Sequence, residues 1–177
     1  MPNPIDLKSI VRTIPNFPIE GIEFFDVNII FENVDAWREM IAQMKAQLQH
    51  LDINILIGLE SRGFLTVAVL SLELNITFTM ARKKGKLPGD THSYEYDLEY
   101  GTDTLEIQKT AFPQGAKCLI IDDILATGGT ACATAQLIKK AGGIPTAFSF
   151  MMELTGLGGR EKLEEITPMY TVLDFPA

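Results

Sequence analysis

Cysteine is scarce in this chain. Cys118 and Cys132 are the two present among 177 residues, which excludes a disulfide framework and leaves no zinc-type spacing. Cys118 falls within an apolar run and reads as a small core residue. Basic charge is also short. Fifteen Lys and Arg face 23 Asp and Glu, for a net charge of −8, so no global field draws the chain to nucleic acid or an anionic membrane. An anionic substrate must be held by local donors instead, and the cluster Arg82, Lys83, Lys84 and Lys86 stands out against the acidic background. No apolar run reaches spanning length. The start, Pro2-Asn3-Pro4 with Asp6, lacks the basic-then-apolar stretch of a secretory signal. A cytoplasmic protein is expected, with no nucleic-acid or membrane partner. There are no repeats and no low-complexity linker. No G-x-x-x-x-G-K-[ST] phosphate loop is present either, which removes the partner that nucleotide hydrolysis requires.

What is present is ordinary for a globular protein: 46% apolar and 21% charged residues. The length suits one domain, 1–177, with a sizeable core. A short helix is expected around 5–13, stopped by Pro15 and Pro18, and 14–31 reads as irregular. Apolar residues at Trp37, Met40, Ile41, Met44, Leu48 and Leu51 follow a helical period over 35–51. Ile53–Gly58 reads as a buried strand, Phe64–Leu74, apolar nearly all round, as a buried helix, and Ile76–Ala81 as a strand. Residues 82–95 are polar and glycine-bearing and suggest a mobile loop. Residues 96–109 read as a hairpin turning near Gly101-Thr102-Asp103. Lys117–Asp122 reads as a strand, and about 128–141 as a helix ended by Gly142-Gly143. Thr146–Glu153, a short helix at 159–165 and a strand Met169–Leu173 complete the chain. Strands alternating with helices predict an α/β fold, a mostly parallel central sheet with helices on both faces.

The richest stretch is Cys118-Leu-Ile-Ile-Asp122-Asp123-Ile-Leu-Ala126-Thr127-Gly128-Gly129-Thr130. A buried strand ends in two carboxylates, and a small glycine-bearing turn leads into a helix. Ligands of open α/β sheets sit at that end of the strands. The first helical N–H groups lack intrahelical partners and attract phosphate, while glycine lets the backbone approach. Carboxylates repel phosphate, so Asp122 and Asp123 are placed for hydroxyls or a metal ion beside it. Together these parts suggest a phosphorylated sugar. A Walker B strand or a plain strand-to-helix turn would also carry an Asp pair, but neither accounts for the attached Thr-Gly-Gly-Thr.

This stretch resembles the 5-phosphoribosyl-1-pyrophosphate (PRPP) motif of type I phosphoribosyltransferases. Further segments resemble the adenine phosphoribosyltransferase family in particular: Ile14-Pro15-Asn16-Phe17-Pro18, Gly58-Leu59-Glu60-Ser61-Arg62-Gly63-Phe64, Arg82 to Gly89, Leu98-Glu99-Tyr100-Gly101, Leu105 to Lys109, and Gly159-Arg160-Glu161-Lys162-Leu163. They fall in family order over nearly the whole chain. The resemblance implies the type I fold, with 1–34 as an N-terminal arm and base-binding hood and 35–177 as the core carrying a flexible loop 82–95. It also implies purine salvage: adenine and PRPP give AMP and pyrophosphate, with Mg2+ bridging pyrophosphate and ribose oxygens.

By the same resemblance, Asp122 and Asp123 accept hydrogen bonds from the ribose hydroxyls, and Asp123 reaches the metal directly or through water. Ala126, Thr127, Gly128, Gly129 and Thr130 hold the 5′-phosphate. Glu60, Ser61, Arg62 and Gly63 form a pyrophosphate loop with a non-proline cis peptide at Glu60–Ser61. The Arg62 guanidinium is suited to phosphate oxygens. Arg82 reaches across a homodimer interface to the neighbour's pyrophosphate, with Lys86 a weaker candidate. Glu99 is the acid/base group, exchanging a proton with the purine as N9 attacks. The catalytic set is thus Glu99, Arg62 and Arg82.

The hood departs from the family pattern. Gly21-Ile22-Glu23-Phe24-Phe25-Asp26 has Phe25 where Arg or Lys is usual and Glu23 where an aliphatic residue is usual. The base-binding residues are expected to be Glu23, Phe24, Phe25 and Ile124, with Phe24 and Ile124 stacking on the purine. A Glu23 side chain in the pocket would permit a 6-oxopurine (hypoxanthine, guanine or xanthine) as acceptor. A PRPP-sensing regulator without catalysis is a third reading, but such proteins usually carry a DNA-binding domain, for which an acidic chain of this length leaves no expected segment.

Overall fold

The computed structural model describes residues 5–97 and 101–177. Helix α1 (Leu7–Ile10) is capped by Asp6, whose carboxylate accepts from the Lys8 and Ser9 amides. Strand β1 (Arg12–Pro15) pairs antiparallel with β2 (Glu23–Asp26) as a separate two-stranded sheet. Helices α2 (Asn28–Glu32) and α3 (Val34–Leu48) follow, the second capped by Asn33. Then come β3 (Ile55–Leu59), α4 (Gly63–Leu74), β4 (Phe78–Lys83), β5 (Thr91–Asp97) and β6 (Thr102–Gln108). The chain continues through β7 (Lys117–Leu125), α5 (Gly129–Lys140), β8 (Ile144–Thr155), α6 (Gly159–Glu164) and β9 (Met169–Pro176).

The main sheet runs β5-β6-β4-β3-β7-β8-β9. Strands β4, β3, β7, β8 and β9 are parallel, and the β5–β6 hairpin adds an antiparallel edge. The period of two along each central strand divides the core. Leu56, Leu119 and Ile121 pack with α1 to α4 on one face, while Ile57, Cys118 and Ile120 pack with α5 and α6 on the other. Both faces are therefore covered, which explains the near-continuous apolar runs of β3 and β7. No helix among the described residues is long and apolar enough to cross a membrane.

Four expectations need correction. The helix expected to 13 stops at Ile10, and the supposedly irregular 14–31 holds most of a β-hairpin and α2. The hairpin is closed by a side chain, with the Gly21 amide donating to Asn16 Oδ1 at 2.9 Å, and its four-residue strands are too short to show a period. Half of the segment 82–95 is strand, and the loop is confined to residues 84–90 between β4 and β5. β5 is a sheet edge with no fully buried residue, so a polar composition is compatible with full pairing to β6. β7 continues past Asp122 to Leu125, because Ile124 and Leu125 keep their parallel partners Met152 and Glu153 on β8. Finally, α4 is not buried all round: Leu65 and Leu72 are 51% and 82% exposed.

Candidate functional site

The C-terminal part of β7 organises the site. Asp123 is 5% exposed, and its amide donates to Asp122 Oδ1 at 2.9 Å. Burial pushes the Asp122 carboxyl well above the usual carboxylate range, and the negative charge of Asp123 beside it adds to the rise. Such a pair is electrostatically unfinished and favours a hydroxyl donor or a cation nearby. Beyond it the chain turns at Gly128, at φ +77°, where glycine meets no steric penalty. No side chain caps the first turn of α5, so its free amides are available to an anion. A cavity of about 130 Å³ lies here, lined by Asp122, Ile124, Thr127, Gly129, Thr130 and Phe150 among others.

The second glycine-bearing turn sits next to the first because β3 and β7 are neighbours, with Gly58 opposite Ile121. The Glu60–Ser61 peptide is cis. Gly63 packs so closely on β7 that a Cβ would stand 2.8 Å from the Ile121 carbonyl and 2.9 Å from Asp122 Oδ1. This seats Arg62 over the carboxylates, with Nε 2.6 Å from Asp123 Oδ2. That oxygen is buried and makes no hydrogen bond of good alignment, so the contact is one of charge.

Glu60 gathers the basic residues of β4 and the segment after it. Its carboxylate accepts from the Lys83 amide at 2.8 Å and from Arg82 Nη2 at 3.2 Å, and Lys86 Nζ lies 3.8 Å away. Burial acts to raise the Glu60 pKa, but the bonds from Lys83 and Arg82 outweigh it and hold it below the usual range. Arg82 also donates to the Lys86 carbonyl at 3.2 Å and lies over the Phe64 ring, 5.7 Å from its centroid. The candidate pyrophosphate residues are thus gathered around two carboxylates, Arg62 on Asp123 and Arg82 with Lys86 on Glu60.

In the hood, Phe24 is half-buried with its ring 5.1 Å from that of Phe17, and Glu23 is exposed opposite Pro15. Phe25 was expected beside the base. It is instead 6% exposed and packs on Phe175, ring centroids 4.5 Å apart, because alternation along β2 turns it to the opposite side from Phe24. Asp26 is buried and accepts from Arg12 at 2.5 Å. Ile124 is half-buried and lines the cavity. Glu99 lies outside the described residues, as do Leu98 and Tyr100.

Two groups near the cavity carried no expected role. Tyr96 Oη lies 3.4 Å from Thr130 Oγ1, and Lys162 Nζ donates to the Thr127 carbonyl at 3.3 Å. Nothing local in sequence marks Tyr96. Lys162 belongs to the Gly159–Leu163 segment that the resemblance picks out without assigning it a task.

A family model described as "Phosphoribosyl transferase domain" matches residues 27–151. An adenine phosphoribosyltransferase of Rhodospirillum centenum is 46% identical over 160 residues, covering 90% of this chain and 94% of its own. The chain belongs to the adenine phosphoribosyltransferase family. The crystal structure of an adenine phosphoribosyltransferase from Rhodothermus marinus is 43% identical, with a TM-score of 0.87 and 96% of each chain covered. The Saccharomyces cerevisiae adenine phosphoribosyltransferase is 41% identical, with a TM-score of 0.85 over 93% of this chain and 95% of its own. The phosphoribosyl transferase match takes in β3, β7 and both phosphate-type turns. The hood hairpin and α6 lie outside it.

Proposed function

We propose that this member of the adenine phosphoribosyltransferase family moves the 5-phosphoribosyl group of PRPP to N9 of adenine, giving AMP and pyrophosphate, as a step of purine salvage in the cytoplasm. The carrying observation is the convergence of two anion-type turns on one carboxylate pair, with Arg62 2.6 Å from Asp123 and the uncapped start of α5 just beyond. PRPP has a matching order of parts: a 5′-phosphate, two ribose hydroxyls and a pyrophosphate. The S. cerevisiae relative was solved with D-2,5-dideoxy-2,5-imino-altritol 1,6-bisphosphate and adenine, which supports a base site beside a two-phosphate sugar site.

In this reading the backbone of Ala126 to Thr130 binds the 5′-phosphate, and Asp122 and Asp123 accept from the 2′- and 3′-hydroxyls. Arg62, Arg82 and Lys86 neutralise the departing pyrophosphate, while the Glu60–Gly63 turn lends its amides. Glu99 exchanges the purine proton as N9 attacks. Phe24 and Ile124 stack on the base, and Glu23 lies at the rim of the hood. Rate comes from holding the two reactants in line and stabilising charge on the leaving group.

The donor set suits Mg2+ held largely by substrate oxygens. Among the described residues no group of three or more His, Cys, Asp or Glu is placed to hold a metal, while Asp123 Oδ2, buried without an aligned donor and held by Arg62 through charge, would be one hard oxygen for the ion once Arg62 turns to pyrophosphate. When bound, the ion would neutralise pyrophosphate charge. A homodimer with composite sites would give cover to apolar side chains exposed here, among them Leu65 and Leu72 on α4 and Phe78 and Met80 on β4, all at least 36% exposed. Residues 1–177 then act as one unit, with 1–34 as arm and hood.

The test is conversion of adenine and PRPP by the purified protein, followed by chromatography. AMP and pyrophosphate should appear in equal amounts, and only with Mg2+. PRPP binding without AMP formation would point instead to a PRPP-sensing role.

A further inference from the structure

Helix α6 has six residues, too few to be stable alone in water. An ion pair between the half-buried Arg160 and a buried carboxylate ties it to β8. Glu153, near the end of β8, is 4% exposed. Arg160 Nε donates to both of its oxygens, at 3.1 and 3.0 Å, Nη2 adds a further bond, and Nη1 reaches Glu164 at 3.0 Å. A carboxylate at this depth requires such a partner. Leu163, fully buried, completes the seat.

What α6 rests against is the phosphate turn. A Cβ on Gly159 would lie 2.1 Å from the Ala126 carbonyl, so the helix start and the turn meet backbone to backbone. From the other side, a Cβ on Gly128 would lie 3.2 Å from the Gly159 carbonyl. Lys162 donates to the Thr127 carbonyl. Three consecutive residues of the turn are therefore touched by α6. Register ties the same parts together, since Glu153 pairs across the sheet with Leu125, the residue just before the turn.

We propose that the Glu153–Arg160 ion pair is a positioning element for 5′-phosphate binding, acting through Gly159 and Lys162 on the backbone of Ala126 to Gly128. This rests on the reading of residues 126–130 as the phosphate site. Arg160 touches no substrate in this scheme. Its effect is confined to ligands that carry the phosphate.

The experiment compares wild type with Arg160→Gln, Arg160→Lys, Gly159→Ala, and the neutral pair Glu153→Gln with Arg160→Gln. The readouts are dissociation constants of AMP and adenosine and KM values for PRPP and adenine, with melting temperature as a control. Arg160→Gln and Gly159→Ala should raise the KM for PRPP and the AMP dissociation constant by about tenfold or more, with adenosine binding and the adenine KM within about twofold of wild type. Arg160→Lys should recover part of the loss. If Arg160→Gln alone fails to fold, the neutral pair, which leaves no unpaired buried charge, carries the test. Folded variants with unchanged AMP affinity, or with AMP and adenosine weakened alike, overturn the proposal. Wild type that binds neither AMP nor PRPP overturns the underlying functional reading as well, and so is told apart from failure of the ion pair alone.

Discussion

Arg62 Nε stands 2.6 Å from Asp123 Oδ2. A cation from one glycine-bearing turn is thus neutralised by a carboxylate just before the other, and the two halves of the site are tied electrostatically. Asp122 and Asp123 are the common element. Changing both to Asn should weaken PRPP binding strongly while leaving the fold intact, as judged by titration calorimetry and circular dichroism. Unchanged PRPP affinity would remove the pair from the ribose role.

Glu99 carries the proposed proton transfer. Glu99→Ala should lower kcat by roughly 10²–10⁴-fold, with little change in AMP affinity. Steady-state kinetics with adenine and PRPP decide it, and full activity would take Glu99 out of the mechanism.

The hood has its own pH dependence. The hydrogen bond from Arg12 holds the Asp26 carboxyl below the usual range against the opposing effect of burial. A depressed pKa contributes stability above the unfolded value of about 3.9 and loses it as pH falls through the folded value. Asp26→Asn should therefore lower Tm by a constant amount near neutral pH, and the gap should narrow below about pH 4. A gap that widens on acidification would contradict the assignment.

Burial pushes the Cys118 thiol up to about 12. At pH 8 it should remain protonated and sealed from iodoacetamide. Cys132, half-buried and also raised, should react first, and both should react at similar rates in denaturant. Mass spectrometry of labelled peptides reads this out. Rapid labelling of Cys118 in the native protein would contradict its place on β7 in the core shared with α5.

The parts legible in sequence were those whose pattern is local. β3 and β7 announce themselves as apolar runs because both faces of the sheet are covered. α3 shows its period, and Gly142 and Gly143 mark the end of α5. The parts that were not legible depend on distant partners. β5 looks like a loop because an edge strand with an exposed surface needs few apolar residues. The β1–β2 hairpin is closed by Asn16, a side chain whose role no periodicity shows. Phe25 was misplaced because a single aromatic in a four-residue strand does not declare its face, and Phe175, which it meets, is 150 residues away. Arg160 stood in a segment picked out by resemblance, yet its tie to Glu153 and the closeness of Gly159 to Ala126 are tertiary facts.

The most direct test of phosphoribosyl transfer to adenine is a single assay with PRPP and Mg2+ in which adenine, hypoxanthine, guanine and xanthine are offered separately and pyrophosphate release is followed. Turnover with adenine alone is the expected result, because Phe25 is turned into the core against Phe175 and away from the proposed base site. Preference for a 6-oxopurine would contradict it, and would mean that Glu23 has altered the base pocket on an otherwise adenine-type frame.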